Sequence, residues 1–335
     1  MNQCNNSVMP TSLIRKVLIT GGAGFIGVNL IDYFIKETPF LIVILDNLSV
    51  GNKQYVDRIT LSEKNKDRIK FVVGDIRNKD VVEDASKDVD AIIHLAAFTG
   101  VFSSLNDPRE TFDINVCGTF NLLEACRKFE INRFVFASSG AAVGEQEPPI
   151  DERKVPLPIS PYGASKLAGE ALCSAYYQSY GIKAVSLRFA NAYGPYSFHK
   201  TSVIRVFIGK AKEGKPLIIY GDGTQTRDFI YVKDICRAIH LSMQYEPDHS
   251  NNEGLVFQIA SGIEVKILDL ALLIQKLATQ DGQVLPPIKF DSVRIGEVKK
   301  VYANIDKAKR LLSFRATIPF NEGIRITWEN LCNSR

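Results

Sequence analysis

The sequence is poor in the residues from which metal and disulfide sites are built. It has four histidines (His94, His199, His240 and His249), and they are too dispersed for metal-ligand spacing, so no metal is implied. Its six cysteines (Cys4, Cys117, Cys126, Cys173, Cys236 and Cys332) include no C-x-x-C pair. In a chain this long and this apolar they read as reduced thiols of a cytosolic protein rather than a disulfide framework. No apolar run reaches membrane-spanning length, so no membrane span is expected. Residues 1–12 are polar without an apolar core, which excludes a signal peptide and reads as a loose tail. The net charge of +4 is small for 335 residues and gives no case for a nucleic-acid or membrane surface.

What the chain does have is alternation. Residues 16–20 form a short apolar run ending at glycines, as a buried parallel strand does. A helical pattern follows over 25–36. Strands are then expected at 41–45, 69–73, 91–95, 133–137 and 184–189, with helices at 79–85, 112–129 and 162–180 between them. That order predicts an α/β fold with a doubly wound parallel sheet, the Rossmann arrangement, over residues 13–190. The stretch 145–160 carries four prolines, with a fifth at Pro161, and reads as a surface loop. Beyond 190 the alternation loosens into short pieces such as 217–220 and 257–260 and a helix at 268–277. Residues 191–335 are expected to form mainly a smaller substrate lobe, with some segments returning to the sheet.

Gly21, Gly24 and Gly27 punctuate the turn between the first strand and the first helix. Such a turn lets backbone approach a pyrophosphate, and the helix start, Phe25 and Ile26, presents free N–H groups and a positive dipole end to it. A glycine triplet alone can also be a plain tight turn. Its place here, after a strand and before a helix, is the context a dinucleotide site needs. Asp46 ends the second strand about 20 residues further on, where a carboxylate accepts from an adenosine ribose and repels a 2′-phosphate, favouring NAD. A strand-end cap is the other reading of Asp46. Asp75 and Ile76 end the third strand and can border the adenine. Leu95, Ala96 and Ala97 end the fourth, where small residues leave room for a cofactor.

Tyr162 and Lys166 are four apart at the start of a helix and therefore share a face. A tyrosine of pKa about 10 is a poor base at neutral pH, but an adjacent ammonium and a nicotinamide cation stabilise its phenolate. The phenolate can then take a sugar hydroxyl proton as hydride leaves to NAD. The pair also reads as a surface lysine beside a half-buried tyrosine.

Taken together these segments resemble the extended short-chain dehydrogenase/reductase family, and within it the sugar-nucleotide epimerases and dehydratases. The resemblance runs over nearly the whole chain. It is carried by residues 20–27, 46–49 (with Asn47), 74–76, 94–97, 115–119, 137–139, 162–166, 187–195 and 221–229. It implies that Ser139 completes a Ser-Tyr-Lys triad, that Asn115 belongs to the cofactor site, and that Asn191, Arg227 and Arg294 serve the substrate diphosphate. It also implies a homodimer through the helices at 112–129 and 162–180. One departure is Val143, where relatives usually carry a tyrosine; it removes a hydroxyl and bulk near the expected site. Dehydratase relatives place an Asp-Glu pair directly after the catalytic hydroxyl, and this chain has Gly140 and Ala141. Elimination then lacks its acid. Epimerisation at C4 needs none, so NAD-dependent 4-epimerisation of a nucleotide-linked hexose, by default a UDP-sugar, is the expected activity. A dehydratase, decarboxylase or reductase of the same family, and a non-catalytic NAD-binding regulator, are the alternatives.

Overall fold

A computed structural model describes residues 14–60, 65, 67–247, 254–284, 286–293 and 299–333. The first half alternates strand and helix: β1 (Lys16–Thr20), α1 (Phe25–Glu37), β2 (Leu41–Asp46), α2 (Lys53–Thr60), β3 (Ile69–Val73), α3 (Lys79–Ala85), β4 (Ala91–His94), α4 (Val101–Asn106), α5 (Pro108–Phe112), α6 (Gly118–Lys128), β5 (Arg133–Ser139), α7 (Pro161–Tyr180) and β6 (Lys183–Phe189). These strands, with one later strand, form a seven-stranded sheet in the order β11-β6-β5-β4-β1-β2-β3. Every pairing in it is parallel. The order reverses between β1 and β4, and there the carboxyl ends of the strands open a crevice for a ligand.

Both faces of the sheet are covered, which explains the unbroken apolar runs. In β1, Val17 and Ile19 pack into one core with Phe34 and Ile239, while Leu18 packs into the other with Leu122 and Phe134. A strand buried on one face only would have alternated.

The helix expected over 112–129 is interrupted. A π-type turn, Asp113–Cys117, separates α5 from α6. Its wide turn carries Asn115, 1% exposed, to the loop after β4. There the Asn115 amide accepts from the Phe98 N–H at 2.8 Å and donates to the Phe98 carbonyl at 3.0 Å. Gly118 then packs against Ile76, whose Cδ1 would lie 2.5 Å from a Cβ at that position. Two short helices, α2 and α4, were not legible as periodic patterns.

The second half comprises β7 (Asn191–Tyr193), α8 (Val203–Lys212), β8 (Ile218–Tyr220), β9 (Thr226–Arg227), β10 (Phe229–Tyr231), α9 (Val232–Gln244), β11 (Val256–Ile259), β12 (Val265–Lys266), α10 (Ile267–Gln280), β13 (Lys289–Asp291), β14 (Lys300–Val301), α11 (Asp306–Leu312) and α12 (Phe320–Asn333). Its short strands pair locally and surround a third core that includes Trp328, Phe207 and Ile274. β11 is the exception, because it joins the main sheet beside β6. Among the described residues no helix is long and apolar enough to cross a membrane.

The glycine turn tolerates no side chain at its inner end. A Cβ on Gly27 would lie 2.4 Å from the Gly21 carbonyl oxygen and 2.5 Å from the Gly22 Cα, both rigid backbone. Gly27→Ala is therefore expected to cost about 1–3 kcal/mol of stability despite its better helix propensity. Urea unfolding measures this, and an unchanged midpoint would refute the close-packing account.

Candidate active site

The glycine turn begins at Gly21, whose φ of +70° is left-handed. Its N–H donates to the Leu45 carbonyl at 2.8 Å, so the turn is anchored to β2. Gly24 caps α1 without any side-chain hydrogen bond, which leaves the first turn of the helix open to an anion. Asp46 ends β2 beside it. Its carboxylate accepts from the Ala23 N–H at 2.9 Å and the Leu48 N–H at 2.8 Å. It thus holds the glycine turn in shape as well as standing at the strand end.

Asn47 donates to Asp75 at 3.0 Å. Arg77 also grips Asp75, and its hydrogen bond lowers the Asp75 carboxyl to about 2. Ile76 is buried behind them. Leu95, Ala96 and Ala97 follow β4, half-buried, and the Ala96 nitrogen would lie 2.6 Å from a Cβ on Gly21. His94 sits wholly inside, its two ring nitrogens hydrogen-bonded to Thr20 at 2.8 Å and Thr119 at 3.0 Å. Burial, with the charge of Lys166, lowers its pKa to about 3, so the ring is neutral and structural. Asn115 has its amide satisfied by Phe98 and by Ser165 at 2.9 Å, which ties α7 to this loop.

The carboxyl end of β5 delivers Ser139, and the start of α7 delivers Tyr162 and Lys166. The helix begins where it does because Ser160 accepts from the Gly163 N–H at 3.1 Å and Pro161 occupies the first turn. The Ser139 hydroxyl accepts from the Ala141 N–H at 3.2 Å and stands near the Tyr162 phenol. The Lys166 ammonium donates to the Ala137 carbonyl at 2.8 Å and lies 5.9 Å from the centre of the Tyr162 ring. Burial lowers Lys166 to about 8, opposed by the negative charge of Glu170. Burial also pushes the Tyr162 phenol above its ordinary value, against the nearby Ser139 hydroxyl, so the phenol is raised rather than depressed.

Behind these three residues lies a charge pair that motif reading passed over. Arg188 of β6 makes a two-pronged bond to Glu170 of α7, at 2.8 and 2.7 Å, and both side chains are about 5% exposed or less. Ser138 donates to the same carboxylate at 2.5 Å. Glu170 is one helical turn beyond Lys166 on its face, a spacing that could have drawn attention to it.

On the far side of the crevice, a cavity of about 290 Å³ is lined by Asn191, Arg227, Gln225, Tyr220, Phe229 and Thr201 among others. Asn191 donates to the Asp228 carbonyl at 3.1 Å, and Arg227 to the Thr226 carbonyl at 2.8 Å. The cavity therefore brings together two of the three residues expected at a diphosphate; Arg294 lies outside the described residues. Val143 is fully buried, and its carbonyl accepts from the Leu157 N–H at 2.8 Å. Gly140 is different: a Cβ there would meet nothing closer than the Phe189 carbonyl oxygen at 3.9 Å, so the space beside Ser139 is open. Lys200, unmarked by any motif, also turns inward here, its ammonium bonded to the Ala192 carbonyl at 2.9 Å.

A family model described as GDP-mannose 4,6 dehydratase matches residues 18–327. A putative UDP-glucose 4-epimerase of Methanocaldococcus jannaschii is 39% identical over 319 residues, covering 93% of this chain and 97% of its own. Among solved structures, the UDP-N-acetylglucosamine 4-epimerase of Methanobrevibacter ruminantium, in complex with UDP-N-acetylmuramic acid, superposes with a TM-score of 0.84 at 32% identity, covering 95% of this chain and 98% of that one. The UDP-glucuronic acid 4-epimerase of Bacillus cereus, in complex with UDP-glucuronic acid and NAD, gives 0.82 at 31% identity, covering 94% and 98%.

Removing one member of the Glu170–Arg188 pair strands the other charge in the interior. Arg188→Met is expected to lose about 3–5 kcal/mol, and the double variant Arg188→Met with Glu170→Met much less. Denaturant unfolding of wild type, both single variants and the double variant decides it: a double loss equal to the sum of the two single losses would show that the pair is not coupled.

Proposed function

Because the chain belongs to the extended short-chain dehydrogenase/reductase family, in its branch of sugar-nucleotide epimerases and dehydratases, we propose that it is an NAD-dependent 4-epimerase of a UDP-linked hexose. The observation that carries this reading is the company Ser139 keeps. Its hydroxyl stands near the Tyr162 phenol, Lys166 stands behind, and the next two residues, Gly140 and Ala141, bring no carboxylate. Dehydration needs an acid at that place, and epimerisation does not.

The residues of the glycine turn fit NAD. Gly24 leaves the start of α1 uncapped for a diphosphate, and Asp46, Asn47 and Asp75 line the strand ends where an adenosine would be held. Bound there, NAD supplies reversible hydride acceptance at the sugar C4 and a positive charge while oxidised. The protein supplies the proton chemistry. Tyr162 takes the O4 proton and returns it after the ring has turned over. Ser139 hydrogen-bonds O4 and the phenol, fixing the line of transfer. Lys166, with its charge supported by Glu170, favours the phenolate that burial alone disfavours. Asn191 and Arg227 offer an amide and a guanidinium to the nucleotide diphosphate. In this reading residues 13–190 serve mainly the cofactor and 191–335 mainly the nucleotide sugar.

The helices around the site support a homodimer. Phe112, Phe120 and Tyr180 are about half exposed, at 52%, 46% and 55%, on α5, α6 and α7. Phe120→Asp should shift the particle from dimer to monomer by light scattering; a monomeric wild-type chain would remove this part of the reading.

The activity is tested by incubating purified protein, without added NAD, with the UDP forms of glucose, N-acetylglucosamine and glucuronic acid. Interconversion of one C4 epimer pair is expected, with Tyr162→Phe slower by roughly a hundredfold or more. No conversion of any of them would sink the UDP-sugar reading.

A further inference from the structure

Lys200 lies in the loop between β7 and α8, and its side chain runs inward. The ammonium donates to the Ala192 carbonyl at 2.9 Å and sits 4.8 Å from the centre of the Phe25 ring. Phe25 is the first residue of α1, immediately after the glycine turn. Ala192 and Thr201 both line the cavity on the other side. The charge therefore stands where the open helix start and the nucleotide cavity approach each other.

Among the described residues no carboxylate offsets it. Burial lowers Lys200 to about 8, and no acidic group raises it. The groups facing it are Phe25 from α1, the Ala192 carbonyl from β7 and His199 from its own loop, whose imidazole is itself pushed down by burial and by the Lys200 charge. A carbonyl and a ring face can hold an ammonium but not neutralise it. Lys200 is partly exposed, and among the described residues its ammonium makes one hydrogen bond, which leaves donors for an anion. The uncapped start of α1 and the cavity lined by Asn191 and Arg227 are where a diphosphate would supply that anion.

We propose that Lys200 is a diphosphate-binding residue whose ammonium is completed by the bound nucleotide, either the nucleotide sugar in the cavity or the dinucleotide at α1. The inference rests on the nucleotide-sugar reading above and adds a residue to it.

The test is calorimetric, on the full chain. UDP is titrated into NAD-loaded protein, and NAD into protein freed of nucleotide, for wild type, Lys200→Met and Lys200→Arg. Lys200→Met is expected to bind one of the two probes roughly tenfold to a hundredfold more weakly, and Lys200→Arg to retain most of the affinity. The anion raises the Lys200 pKa, so wild type should take up a proton on binding near pH 8. Repeating the titration in buffers of different ionisation enthalpy reads this uptake, which both variants should lose. A loss confined to UDP assigns the charge to the substrate diphosphate, and one confined to NAD assigns it to the cofactor. Lys200→Met should melt close to wild type, since the ammonium is partly exposed and has no carboxylate partner among the described residues. Unchanged affinity for both probes overturns the proposal. If Lys200→Met does not fold, the absence of proton uptake in wild type overturns it equally. Wild type that binds neither probe sinks the parent reading, and this one with it.

Discussion

The candidate site depends on one buried ion pair. Glu170 reaches from α7 to Arg188 on β6 and is shared with Ser138 on β5. Each of these residues stands close in sequence to one that the chemistry needs: Ser138 precedes Ser139, Glu170 lies a turn beyond Lys166, and Arg188 sits three residues before Asn191. The pair therefore sets the relative position of two strand ends and a helix start. Its desolvation is costly, and an apolar substitute would pack as well. What an apolar contact cannot supply is direction. A two-pronged guanidinium–carboxylate contact fixes rotation and register together, and its negative end also supports the Lys166 charge.

The charges around the crevice follow a common pattern. Lys166 and Lys200 are both lowered to about 8 by burial, His94 is held neutral, and the Tyr162 phenol is pushed up. Burial thus disfavours the charged forms of Lys166, Lys200 and Tyr162, while Arg77 keeps Asp75 ionised at the neighbouring strand end.

Most of the seven-stranded sheet was legible in the sequence, because parallel strands buried on both faces write themselves as apolar runs and the glycine turn marks where the first of them ends. Tyr162, Lys166 and Ser139 announced themselves by spacing and family pattern. Three things were not legible. The π-type turn at Asp113–Cys117 differs from a helix by one residue, which periodicity over residues 112–129 does not resolve. Arg188 and Glu170 are separated by a helix end and a strand, so only the folded chain shows them to be partners. Lys200 has no sequence context beyond a loop; its inward turn is seen only in its contacts with Phe25 and Ala192.

The seventh strand of the main sheet comes from the far half of the chain. β11 covers the outer edge of β6, and β6 ends just before Asn191. During synthesis the first six strands emerge well before Val256, so for that interval β6 presents an unpaired edge of backbone N–H and carbonyl groups. Such an edge accepts any strand offered to it, including one from a neighbouring chain. The first half of the main sheet is therefore covered along this edge only once β11 has been made, and a truncation before β11 would remove an edge guard as well as a lobe.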